Sequence, residues 1–167
     1  MRGTYTQTTY PAGSIGSGFN YDKNKISINS DLGITNGSIS PTYNTTFFYP
    51  SQNWEEENTN RNYYDIFRGR LGVNYKFSEK FNIGLQYMGS NNNKKNKEND
   101  FSKITNYSNN AIDSLIISKA ENKIKNNIYI LDVYSTYKLD TIGRKISTNF
   151  NYLTFKDYQD RVFNSNN

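Results

Sequence analysis

A chain of 167 residues is long enough for one domain with a sizeable core, yet only 34% of it is hydrophobic, its mean hydropathy is -0.88 and 16% is aromatic. Cys and His are both absent, which excludes a disulfide framework, a thiol nucleophile, a Cys-based zinc site and a Ser-His-Asp arrangement. The formal charge of +5 permits an anionic partner, but the basic residues are scattered except for Lys94, Lys95 and Lys97 in an Asn-rich stretch, and without a recognition motif no nucleic-acid partner is expected.

Tyr and Phe on short strands between polar loops account for a composition this rich in aromatics and poor in aliphatics, so the expected class is all-β. No run approaches the roughly 20 apolar residues of a transmembrane helix, a limit that does not apply to strands. The start, Met1 to Tyr5, has no apolar core of a secretory signal peptide. The chain is therefore expected either to stay in the cytoplasm or to be a piece of a longer one.

Residues 1–13 are polar and turn-rich and read as loop. A weak strand near 13–21 places Ile15, Phe19 and Tyr21 on one side, and the strand near 26–36 has the cleanest alternation, with Ile26, Ile28, Leu32 and Ile34 sharing a face. Residues 36–64 contain two prolines and an acidic run and are expected to be a long loop. Strands near 65–77 and 81–90 follow, joined by a tight polar turn. Leu71, Val73, Tyr75 and Phe77 fall opposite Arg70, Asn74 and Lys76, and then Phe81, Ile83, Leu85 and Tyr87 fall opposite Asn82 and Gln86. Residues 91–127 read as a second long loop; within it the periodicity of 111–125 leaves helix and strand open, and strand is preferred. The last two strands lie near 127–139 and 146–155, and from Lys156 onward no terminal element is expected.

The hairpin recurs. Phe19-Asn20-Tyr21 leads to Lys25-Ile26-Ser27-Ile28, Val73-Asn74-Tyr75 to Lys80-Phe81-Asn82-Ile83, and Tyr137-Lys138-Leu139-Asp140 to Lys145-Ile146-Ser147. Short turns at one end and long loops at the other are what a transmembrane β-barrel needs, with strands that cross in ~9–11 tilted residues. The expected architecture is an antiparallel meander of about six to eight strands, an open segment of a large barrel. Its lipid-facing candidates are Leu71, Val73, Ile83, Leu85, Leu131, Val133 and Phe150. Tyr21, Tyr75, Phe77, Phe81 and Tyr137 would form an aromatic girdle at the short-turn rim. Lumen-facing polar candidates are Arg68, Arg70, Asn74, Lys76, Gln86, Asp132 and Asn149.

The stretches Arg70-Leu71-Gly72-Val73-Asn74-Tyr75, Ser78 to Leu85, and Tyr137 to Tyr152 resemble barrel hairpins of Bacteroidetes outer-membrane β-barrel proteins related to TonB-dependent receptors. The resemblance implies a location in the cell outer membrane and a parent barrel of about 22 strands that encloses a plug. It also implies uptake of a nutrient or siderophore-like ligand, driven by an energy-transducing periplasmic protein. The implied partners are outer-membrane lipid and the remainder of that barrel and plug; no cofactor or metal is expected, and the chain itself is expected not to be an enzyme. The alternative is a secreted or surface β-sandwich that binds carbohydrate through Tyr49, Trp54 and Tyr63. Carboxylate pairs such as Glu55 with Glu57 and Asp157 with Asp160 could in principle serve glycoside hydrolysis, but they fall in segments with no sign of a desolvating pocket.

Overall fold

The computed structural model describes residues 1–166. They form one antiparallel sheet of eight strands, β1 (Arg2–Gln7), β2 (Pro11–Lys23), β3 (Ile26–Ile39), β4 (Thr42–Phe48), β5 (Gln52–Lys76), β6 (Phe81–Asn106), β7 (Ile112–Lys138) and β8 (Lys145–Asn166). The strand order is β1-β2-β3-β5-β6-β7-β8, with β4 also paired to β5. All neighbours are antiparallel. The fold is thus all-β and the sheet open, as the alternation predicts: β2 does not meet β8.

Strands β3 and β4 lie along the same edge of β5, Ile26 to Ile39 opposite Tyr75 to Asn62 and Thr42 to Phe48 opposite Thr59 to Asn53. They are one strand interrupted at Ser40-Pro41. Proline has no amide to donate to a ladder, and the Pro41 carbonyl still accepts the Asn60 amide at 3.0 Å. The turns are tight at both ends of the sheet. Asn24 and Asn110 take the left-handed conformation at φ 54 and 52, and Gly143 sits at φ 105 in the β7–β8 turn, a geometry that favours a residue without Cβ.

The strands are far longer than the sequence suggests. Within 36–64 and 91–106, expected as loops, lie the end of β3, all of β4 and the outer halves of β5 and β6, and 112–127 belongs to β7. The N-terminal segment is β1, and the polar tail after Lys156 continues β8 to Asn166. The reason is that period-two alternation is visible only when one face is apolar. These outer segments have no consistently apolar face, residues such as Trp54 and Ile104 falling on one side and Phe101 and Ile117 on the other, and they form strands because each has a continuous backbone partner: Gln52 to Asp65 lies opposite Asn106 to Asn93. Cross-strand ion pairs add to the ladder, Glu55 with Lys103 at 2.5 Å and Lys95 with Glu121 at 2.8 Å. The expected long loops are therefore β-arms ending in tight turns.

Among the described residues no second layer packs on the sheet. Among the described residues Ala120 is the one buried apolar side chain, while Leu32 is 56% and Phe150 60% exposed. The sheet has two solvent-open faces and no core between layers.

Candidate membrane-facing surface

Register decides which side chains share a face, because directly opposed residues of neighbouring strands point the same way. One row runs from Tyr21 through Ile28, Val73, Leu85 and Val133 to Phe150, and the next from Phe19 through Ser30, Leu71, Tyr87 and Leu131 to Tyr152. Ile83 stands opposite Tyr75 and Ser135, on the same face. All seven lipid-facing candidates, Leu71, Val73, Ile83, Leu85, Leu131, Val133 and Phe150, thus lie on one surface. On β3, β5 and β7 this apolar run spans Ile26 to Ile34, Phe67 to Tyr75 and Tyr129 to Tyr137, eight steps or about 26 Å along the strand.

The band runs obliquely across the sheet. On β2 it covers Ile15 to Tyr21 and on β8 Ile146 to Tyr152. Tyr21 is in register with Phe150, four residues from Ile146, and Ile15 is in register through Ile34, Phe67, Asn91 and Asn127 with Lys156, four residues past Tyr152. Both margins shift by the same amount in the same direction. Four residues are about 13 Å, and five strand spacings are about 24 Å, so the strands incline to the normal of the band by roughly 30°. The band's height is then about 23 Å.

At the short-turn rim the aromatic residues touch in sequence. Ring centroids of Tyr75 and Phe77 are 6.1 Å apart, those of Phe77 and Phe81 6.1 Å, and those of Phe81 and Tyr137 6.4 Å, within the range of edge-to-face attraction. Four of the five girdle candidates are brought together. Tyr21 is on the same face but two strands away, in the row of Val73. A second aromatic pair, missed in the sequence, stacks farther up the band, where Tyr87 and Tyr129 lie 6.5 Å apart.

The other face carries the polar candidates. Arg70 donates to Gln86 Oε1 at 3.3 Å, and Gln86 is in register with Asp132. Asn74 accepts the hydroxyl hydrogen of Tyr134 and shares its row with Asn149. Lys76 makes an ion pair with Glu79 at 2.8 Å in the β5–β6 turn, and the Lys76 ammonium foremost holds that carboxyl below its ordinary value. Arg68 faces Gly33 and Ser90. This face is not uniformly polar: Met88, Ile130 and Leu153 form a row across β6, β7 and β8, with Ile128 and Phe155 in the next. Sequence reading missed this apolar island because alternation assigns Ile128 and Ile130 to the polar side and a run such as Ile128-Tyr129-Ile130-Leu131 hides the phase.

The carboxylate pairs are not assembled into a site. Asp157 and Asp160 fall on opposite faces of β8, and Glu55 is occupied by Lys103. Among the described residues no group of three or more Asp and Glu could hold a metal ion. The carbohydrate candidates are dispersed too. Trp54 lies on β5 opposite Phe47 and Ile104, Tyr63 is farther along β5 beneath Arg61, and Tyr49 is in the β4–β5 turn.

No protein-family model and no curated protein sequence matches the chain. Among solved structures it is similar to the CymD monoaromatic hydrocarbon channel, at 8% identity and a TM-score of 0.20, over 93% of this chain and 72% of that one. It is also similar to the toluene transporter TodX of Pseudomonas putida, at 9% identity and a TM-score of 0.16, over 91% and 67%. Likenesses this faint carry no argument about the chain.

Proposed function

We propose that the chain is a segment of the wall of a large outer-membrane β-barrel, its apolar band in lipid and its polar face toward the lumen, without catalytic function of its own. The observation that carries this reading is the band. Its height of about 23 Å and inclination of roughly 30° are close to the apolar belt of ~25 Å and the strand tilt of ~35–45° of outer-membrane barrels. A charge on the lipid side would be costly, and between the margins of the band that face holds none on β3, β5, β6, β7 or β8.

The same reading extends to the parent protein, a receptor of the TonB-dependent kind that takes up a nutrient or siderophore-like ligand. Its partners are outer-membrane lipid, the remaining strands and plug, and an energy-transducing periplasmic protein. The apolar island of Met88, Ile130 and Leu153 supports a plug, since an apolar patch inside a wet lumen calls for a cover. The carbohydrate-binding sandwich is disfavoured by the single layer, as a sandwich needs two sheets packed about 10 Å apart.

The lack of native cysteine makes a direct test clean. Single cysteines at each position from Arg70 to Tyr75, labelled with a polarity-sensitive fluorophore in reconstituted vesicles, should report lipid at 71, 73 and 75 and water at 70, 72 and 74. A signal without that alternation removes the membrane-facing assignment.

A further inference from the structure

Beyond the band the sheet continues as arms, and their two faces differ in charge. On the face continuous with the apolar band, β7 places Lys119, Lys123 and Lys125 beside Lys95 and Lys97 of β6. Arg61 of β5, Lys103 of β6 and Lys156 of β8 complete the same surface. Against these eight bases stand five acids, Glu55, Glu57, Asp65, Glu121 and Asp160. On the opposite face, in the interleaved rows, Lys94 and Arg161 are outnumbered by Glu56, Glu98, Asp100 and Asp157, and Arg161 is tied to Glu98 at 3.0 Å. Ordinary solvated arms have no cause to sort their charge by face.

We propose that this outward face of the arms is a docking surface for the phosphate-bearing headgroups of the leaflet through which the arms emerge. The proposal rests on the membrane-facing reading above and adds to it a specific lipid class. Lys125 and Lys156 each stand four residues past the last band residue of their strand, Tyr129 and Tyr152, or about 13 Å along an inclined strand. Lysine stems of about 6 Å reach back toward the interface, which brings both ammonium groups to the headgroup layer, roughly 5–8 Å thick on each side. Farther out, Glu121 is shared by Lys95 at 2.8 Å and Lys123 at 3.3 Å, so this trio retains a net positive charge. The Arg61 guanidinium lies 3.6 Å from the ring centre of Tyr10 and 4.5 Å from that of Tyr63, and this stacking holds the cation in place.

The test is partition of the full chain between vesicles of phosphatidylcholine and vesicles of phosphatidylcholine with lipid A, by flotation at low and high salt. The wild type should prefer the lipid A vesicles, and high salt should weaken the preference. Replacing Lys125→Gln and Lys156→Gln should each reduce it about fivefold, while Lys94→Gln on the other face leaves it unchanged. Retention in phosphatidylcholine after a urea wash reads the membrane assignment separately. A chain retained there without preference for lipid A, or one that loses the preference equally with Lys94→Gln, overturns the headgroup site alone. A chain washed out of both vesicles overturns the membrane reading and this proposal with it.

Discussion

A Cβ added at Gly84 would collide with the hydroxyl end of Tyr134, the residue directly opposite on β7, and with the Asn74 side chain. Tyr134 can therefore lie flat over the backbone of β6 and donate its hydroxyl hydrogen to Asn74 Oδ1 on the strand beyond, so one missing side chain lets three strands be tied by one tyrosine. Gly84→Ala should displace the ring and destabilise the folded chain by about 1–3 kcal/mol, read as a lower urea midpoint in reconstituted vesicles; an unchanged midpoint would mean that Tyr134 swings aside freely. The neighbouring pair Val73 and Asn74 separates the two faces most sharply. Arginine at Val73 enters the middle of the band, where a charge in lipid costs about 2–4 kcal/mol, whereas arginine at Asn74 enters the polar side. Insertion of Val73→Arg should fall well below that of Asn74→Arg, and equal yields of membrane-inserted protein from the two would sink the face assignment.

Among the turns, the β7–β8 connection is held by one carboxylate. Asp140 Oδ1 accepts the amides of Ile142 and Arg144, each at 3.0 Å, and Oδ2 accepts the Arg144 guanidinium. The Arg144 amide foremost, then its guanidinium and the Ile142 and Gly143 amides, hold the carboxyl below its ordinary value. Because the folded value is the lower one, the stabilisation is complete above the unfolded carboxylate pKa of about 3.9 and is lost as pH falls through the folded value. Amides of Ile142 and Arg144 should thus exchange faster in Asp140→Asn than in wild type at neutral pH, with the difference shrinking in acid; equal exchange at neutral pH would exclude the carboxylate as the clamp. The three short turns at one rim were legible in the sequence, the last because Asp140 and Gly143 have local geometric reasons to be there, as were the inner strands, where Leu71, Val73 and Leu85 mark every second position. The arms were not legible: Asn91-Asn92-Asn93-Lys94-Lys95-Asn96 has turn-like composition, and only the partner strands Asp65 to Asn62 and Asn127 to Asn122 give its backbone a reason to extend. The apolar band, read from alternation, and the aromatic rim, read from recurrence, belong to the legible part. The charge sorting of the arms was hidden with the arms themselves.

The molecule as a whole ends in open edges. Sequence reading places them at the strands near 13–21 and 146–155. The first is corrected in part, since β1 covers β2 from Gly16 to Pro11 and leaves Ser17 to Lys23 uncovered on that side; β8 is an edge along its whole length. Rows of unpaired amides and carbonyls within an apolar band are strongly unfavourable in lipid, so copies of the chain should pair edge to edge within vesicles and require detergent where no lipid is present, and the chain should give no steady conductance in planar bilayers. A stable single-channel current from the monomer would show that the sheet closes on itself. The length of the arms has a further effect, on the order of assembly. With β3 and β4 counted as one interrupted strand, every pairing joins strands that follow one another along the chain, so each hairpin can start at its tight turn and zip outward, with little loop-closure entropy at each step. For β5 and β6 that zipper runs from Lys76 opposite Asn82 to Gln52 opposite Asn106. A slip of one residue at Phe77 to Lys80 would turn every later side chain to the wrong face, and the polar arms, with little apolar contrast between their own faces, offer scant means of correction. Fidelity of the far tips is therefore decided at the near turn, before the arms have formed.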